Sequence, residues 1–134
     1  MNNHTLLQEA IEARENAYAP YSRFKVGAVV FTEDGELFHG CNIENAAYPL
    51  CNCAERTALF AAYAAGKCRI KKLALVADTP DPITPCGACR QVIAELCPPD
   101  TPVIMGNLLG KIRIMTASEL LPGAFSQEDL NHHE

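Results

Sequence analysis

Two short runs of this chain carry groups able to hold a metal ion or move a proton: Cys-Asn-Cys-Ala-Glu-Arg at 51–56 and Pro-Cys-Gly-Ala-Cys at 85–89. Cys86 and Cys89 are three residues apart, which on a helix puts both sulfurs on one face about one turn apart. Thr84 is placed to cap that helix, Pro85 suits its first turn, and Gly87 and Ala88 leave room around the sulfurs. The positive end of a helix favours thiolate over thiol, and zinc requires thiolate. A Cys-x-x-Cys alone suits a redox pair equally well. Cys53 supplies what the pair lacks. It opens a second helix with Asn52 as cap, and three thiolates from two helix starts would form a tripod with the fourth tetrahedral corner open to water. Cys51 is the competitor, since four cysteines would close the site and make it structural.

Glu55 has two explanations. It stands three residues after Asn52, a capping-box spacing that accounts for it by helix stability alone, at about 1 kcal/mol. The same spacing sets its carboxylate within a turn of Cys53, where, not needed as a ligand, it would carry protons. One carboxylate cannot do both.

The elements that must position these groups follow from pattern. Residues 5–17, with Leu6, Leu7, Ala10 and Ala17 on one side, read as an amphipathic helix ended by the Ala-Tyr-Ala-Pro-Tyr-Ser stretch at 17–22. Strands are expected at 24–31 and 37–41, antiparallel because the Glu-Asp-Gly-Glu turn between them is so short. A loop over 42–50 leads to a helix from Cys53 to about Ala65, closed by Gly66. A third strand covers 70–78, a Pro-rich loop enters a helix over 86–97, and strands at 102–106 and 111–115 form a final hairpin. A brief helical turn, Thr-Ala-Ser-Glu-Leu-Leu at 116–121, precedes the tail. The order α-β-β-α-β-α-β-β makes a five-stranded mixed sheet faced by helices, with each cysteine group where a loop enters a helix. The 134 residues suit one domain, 1–134, whose tail, 122–134, ends in a segment carrying His132 and His133 that nothing is expected to tie down.

Composition narrows the partners. The net charge of −5 and eleven scattered Lys and Arg argue against a nucleic-acid backbone, and the densest basic group, 67–72, reads as a solvated turn and strand entry. No segment is apolar enough to span a bilayer, and the first residues do not read as a secretory signal. A cytoplasmic location is expected, in which seven cysteines point to metal or catalysis rather than disulfides. A small-molecule substrate fits best.

Cys-Ala-Glu at 53–55 together with Pro-Cys-Gly-Ala-Cys at 85–89 resembles the zinc-dependent nucleoside and nucleobase deaminases, with cysteine where one form of the family has histidine. The chain is similar to the small homotetrameric cytidine deaminases over most of its length, in the blocks 18–30, 40–60, 84–96 and 120–130. The resemblance implies a three-layer α/β fold, one zinc per subunit held by Cys53, Cys86 and Cys89, and Glu55 as proton shuttle. It implies that Cys51 is not a ligand. It also implies ribose contacts from Asn42 and Glu44, Phe24 against the pyrimidine or sugar, the Ala54 N–H on the ring carbonyl, and Tyr48 and Phe125 reaching a site shared between subunits.

The activity so implied is hydrolysis of a cyclic amidine C–N bond, converting cytidine and 2′-deoxycytidine to uridine and 2′-deoxyuridine plus ammonia in pyrimidine salvage, through a zinc-activated water. A homotetramer is expected, and an Ala-rich helix face (Ala58, Ala61, Ala62, Ala65) suits close packing against a neighbour. Three thiolates set −3 against the ion's +2, so something must withdraw charge. Arg56 is the candidate, with a surface arginine as its alternative. Rivals are a deaminase of a modified nucleoside and a non-catalytic four-cysteine zinc module. Cys41, Cys68 and Cys97 default to small buried apolar residues.

Overall fold

The structure, a computed structural model, describes residues 1–131; His132 and His133 lie outside the described residues. Helix α1 spans Asn3–Arg14, and strands β1 (Val26–Thr32) and β2 (Leu37–Cys41) follow. A short 3-10 turn at Tyr48–Leu50 precedes helix α2 (Ala54–Ala64). Strand β3 (Ile70–Ala77), helix α3 (Gly87–Leu96), strands β4 (Pro102–Asn107) and β5 (Ile112–Thr116), and two short helices, α4 (Ala117–Leu120) and α5 (Gln127–Asn131), complete the order.

The five strands form one sheet in the order β2-β1-β3-β4-β5. Only β3 and β4 pair in parallel, through the α3 crossover; the other neighbours are antiparallel, including the β4–β5 hairpin. Alternation along each strand feeds two cores. Ala28, Val30, Leu73, Leu75, Val103 and Met105 face a core shared with Ala58, Leu59 and Ala62 of α2 and Ile93 of α3. Val29, Ala74, Val76 and Ile104 face the other, under Leu6, Leu7 and Ala10 of α1. Each fully buried leucine contributes about 1.5–3 kcal/mol, so α1 holds to the sheet by one apolar stripe. The helices thus lie on both faces of a five-stranded mixed sheet, as expected.

Two glycines set how closely the layers approach. A Cβ on Gly27 would stand 2.0 Å from the Ala10 carbonyl oxygen, and one on Gly40 would stand 2.4 Å from that of Ala54. The second contact matters for the site, because it seats the first turn of α2 directly on β2.

Several boundaries differ from expectation. Helix α1 begins earlier, capped by the Asn2 side chain on the Thr5 N–H, and ends at Arg14 rather than at 17. The chain leaves the helix because Tyr18 must pair with the 42–44 segment, its N–H on the Asn42 carbonyl and its carbonyl on the Glu44 N–H. Ala13 rather than Ala17 completes the buried stripe. Strand β1 starts at Val26, not Phe24, since the backbone just before it is bound by the Asn42 side chain. Helix α5 is unforeseen in a polar stretch.

Candidate active site

The first turns of α2 and α3 meet at the sheet. Cys53 is the N-cap residue of α2 and Cys86 that of α3. This corrects the expected caps. Asn52 donates to the Thr57 hydroxyl at 3.2 Å instead of capping, because its backbone is paired with Ile43. Thr84 lies two residues too early, and the Cys86 sulfur itself accepts the Cys89 N–H at 3.4 Å. The Asn52–Glu55 capping box therefore does not form, and Glu55 is left without that explanation. Sulfur takes the position where the helix N–H groups point, which favours thiolate.

Cys53, Cys86 and Cys89 are the one cluster of three or more ligating groups among the described residues, with all three sulfurs within 4.8 Å of one another. The Cys53 and Cys86 sulfurs are 3.9 Å apart. A tetrahedral zinc with bonds of about 2.3 Å separates its sulfurs by about 3.8 Å, so the spacing fits the ion. Cys51 is elsewhere: its sulfur accepts the Asn45 N–H at 3.2 Å and faces the Asn45 carbonyl. Arg56 is no free surface arginine. Its Nη2 donates to the Cys53 sulfur at 3.3 Å, while its buried Nε has no partner.

These contacts set the protonation of the sulfurs. The hydrogen bond from the Cys89 thiol, and after it the Arg56 guanidinium, hold Cys53 at about 5 against the opposing effect of burial. Cys89 is pushed up, first by that same hydrogen bond and then by burial. The neighbouring thiol and the Arg56 guanidinium thus favour the thiolate at Cys53, the form a dication binds. Glu55, only 4% exposed, has its carboxyl raised above the usual range chiefly by burial.

A cleft of about 410 Å³ opens over this tripod, lined by Ser22, Phe24, Val26, Asn42, Glu44, Cys53, Ala54, Glu55, Leu75, Ile83, Thr84, Pro85 and Cys86. It gathers most of the expected contacts. Ala54, the first residue of α2, has a backbone N–H without an intrahelical acceptor. Asn42 accepts the Val26 N–H at 2.8 Å and donates to the Phe24 carbonyl at 2.7 Å. Glu44 accepts the N–H groups of Tyr21 and Ser22, at 3.0 and 3.1 Å, and the Ser22 hydroxyl. These bonds hold its carboxyl below the usual range, the Ser22 hydroxyl most of all.

Two expected residues line no part of the cleft within one chain. Tyr48 is 69% exposed, edge-on to Tyr21 with ring centroids 6.1 Å apart. Phe125 is 57% exposed on the tail, whose backbone is held to α3 by Gln91 Nε2 on the Phe125 carbonyl at 2.9 Å. Sequence reasoning missed Ser22, Ile83 and Pro85 as cleft walls; nothing in their types or spacing marks them.

The comparisons with known proteins agree with this geometry. Residues 1–105 match the family described as "Cytidine and deoxycytidylate deaminase zinc-binding region". A cytidine deaminase of Halalkalibacterium halodurans is 60% identical over 131 residues, covering 98% of this chain and 99% of the relative. One from Sporosarcina psychrophila is 56% identical over 132 residues, covering 98% and 97%. Among solved structures, the 1.6 Å crystal structure of cytidine deaminase from Burkholderia pseudomallei superposes with a TM-score of 0.92 at 56% identity, over 93% of this chain and all of that one. The fold and the cysteine tripod define a zinc-binding hydrolase. The chain belongs to the cytidine and deoxycytidylate deaminase family.

Proposed function

We propose that this protein hydrolyses cytidine and 2′-deoxycytidine to uridine and 2′-deoxyuridine with release of ammonia. The observation that carries the reading is the set of three sulfurs within 4.8 Å of one another, with a buried carboxylate beside them that is not one of the cluster. Cys53, Cys86 and Cys89 would hold the zinc, which when bound supplies the Lewis acidity that lowers the pKa of a water.

Glu55 does the proton work. It takes a proton from the attacking water and gives it to the ring nitrogen beside C4, which makes that carbon electrophilic. As the oxygen–carbon bond forms and the C4–N bond breaks, Glu55 passes the second proton to the departing amino group, so that water and cytidine become uridine and ammonia. Arg56, donating to the Cys53 sulfur, draws charge from the tripod. Phe24 backs the ring, the Ala54 N–H holds the ring carbonyl, and Asn42 and Glu44 bind sugar hydroxyls. An anionic carboxylate at the sugar disfavours a phosphate there, so a free nucleoside is the substrate, not a nucleotide or a nucleic-acid strand.

In this reading the whole chain, 1–134, works as one domain and assembles as a homotetramer in which Tyr48 and Phe125 serve a neighbour's site. Their exposure within one chain supports this. Pyrimidine salvage in the cytoplasm is the setting; no helix among the described residues is long and apolar enough to cross a membrane. Ultraviolet absorbance and ammonia release, followed with cytidine before and after treatment with a zinc chelator, test the proposal. One ammonia per uridine, lost with the metal and regained on adding zinc, is expected; zinc-loaded protein that releases no ammonia overturns it.

A further inference from the structure

Ser22 joins two groups on one wall of the cleft. Its hydroxyl donates to Glu44 Oε2 and accepts the Phe24 N–H at 3.0 Å. Glu44 Oε1 accepts two more N–H groups from the same segment, those of Tyr21 and Ser22. Four hydrogen bonds thus wrap residues 21–24 around one carboxylate. Within that wrap Arg23 takes φ of 59°, a left-handed conformation that an ordinary side chain keeps only when its neighbours hold it there. Asn42 clasps the segment from the other side through Phe24 and Val26.

Acceptor counting gives this wrap a consequence for ligands. A carboxylate offers about four acceptor sites. Three of those on Glu44 are taken by Tyr21 N–H, Ser22 N–H and the Ser22 hydroxyl, leaving one for an incoming hydroxyl donor. Since Ser22 accepts from Phe24 while donating to Glu44, the same oxygen sets the carboxylate's rotation and the position of Phe24.

We propose that Ser22 is a positioning residue that fixes Glu44 and Phe24 together, so that one hydroxyl determines how strictly the site reads the sugar. This rests on the nucleoside reading given above. The hydrogen bonds of Ser22 go to Glu44 and Phe24, and none of them to Glu55 or the clustered cysteines.

The test uses the full-length zinc-loaded protein and three substrates: cytidine, 2′-deoxycytidine and 3′-deoxycytidine. Ser22→Ala removes the hydroxyl, and Ser22→Thr against Ser22→Val repeats the comparison at constant shape should the alanine variant fold poorly. Without the hydroxyl, KM for cytidine should rise roughly tenfold with kcat changing less than about threefold. The preference for cytidine over one of the deoxy analogues should fall by a similar factor, and Ser22→Thr should keep wild-type values. Equal losses on all three substrates, or an unchanged KM, overturn the inference. Glu44→Ala separates the two layers of the argument. If it abolishes sugar discrimination while Ser22→Ala and Ser22→Val keep it, Ser22 is not the positioning group; if Glu44→Ala itself keeps it, the sugar reading of Glu44 fails and the inference falls with it.

Discussion

Replacing Glu55 by Gln keeps the shape of a buried side chain and removes its ability to accept and return a proton. Glu55 is not among the three clustered sulfurs, so zinc should stay at one ion per chain. The loss should fall on kcat, since a positioned acid–base group is worth about 10²–10⁴-fold, or roughly 2.7–5.5 kcal/mol of barrier. Glu55→Asp provides a second scale. It withdraws the carboxylate by about 1.5 Å, one C–C bond, and a misplacement of about 1 Å costs about 10²-fold. Aspartate should therefore lose about as much as glutamine, although it keeps the charge. Steady-state rates on cytidine, beside metal content by plasma mass spectrometry, check both. A glutamine variant within about threefold of wild-type kcat would refute the proton-carrier role, and loss of zinc would show that Glu55 belongs to the metal site.

Arg56→Gln removes the guanidinium from the Cys53 sulfur and should weaken zinc about 10–100-fold in chelator competition; unchanged zinc affinity and turnover would return Arg56 to a structural role. Gly27→Ala drives a methyl against the backbone of α1, 2.0 Å from the Ala10 oxygen, and should lower stability by about 1–3 kcal/mol in urea titration; an unmoved midpoint would mean that α1 is not seated as described. Glu119 is held below the usual carboxylate range by the Thr116 N–H. Its lowered folded pKa means that its charge stabilises above about pH 4.5 and that this is lost as pH falls through the folded value. The gap in melting temperature between wild type and Glu119→Gln should therefore narrow as pH falls below about 4.5, and a gap unchanged by acidification would contradict the reciprocal hydrogen bonds of Thr116 and Glu119 that cap α4.

The cysteine cluster was legible in the sequence because spacing puts Cys86 and Cys89 on one helix turn and Cys53 at the start of another, although only the family resemblance set Cys51 aside. The sheet was legible because short turns force antiparallel neighbours and alternation assigns each residue a face. The caps were not. Local preference puts Asn52 and Thr84 at helix starts, but pairing of Asn52 with Ile43 shifts the start by one residue and leaves a sulfur there. Tertiary pairing of Tyr18 likewise ended α1 early, at Arg14. Ser22 was invisible because its partner, Glu44, lies 22 residues away and no local pattern connects them. Helix α5, Gln127–Asn131, carries no apolar periodicity to announce it.

Zinc-edge X-ray absorption on the purified protein counts the atoms around the ion without reference to activity. Three sulfurs at about 2.3 Å and one light atom at about 2.0 Å are expected. Four sulfurs, or protein active on cytidine with no zinc signal, would contradict the proposed zinc site.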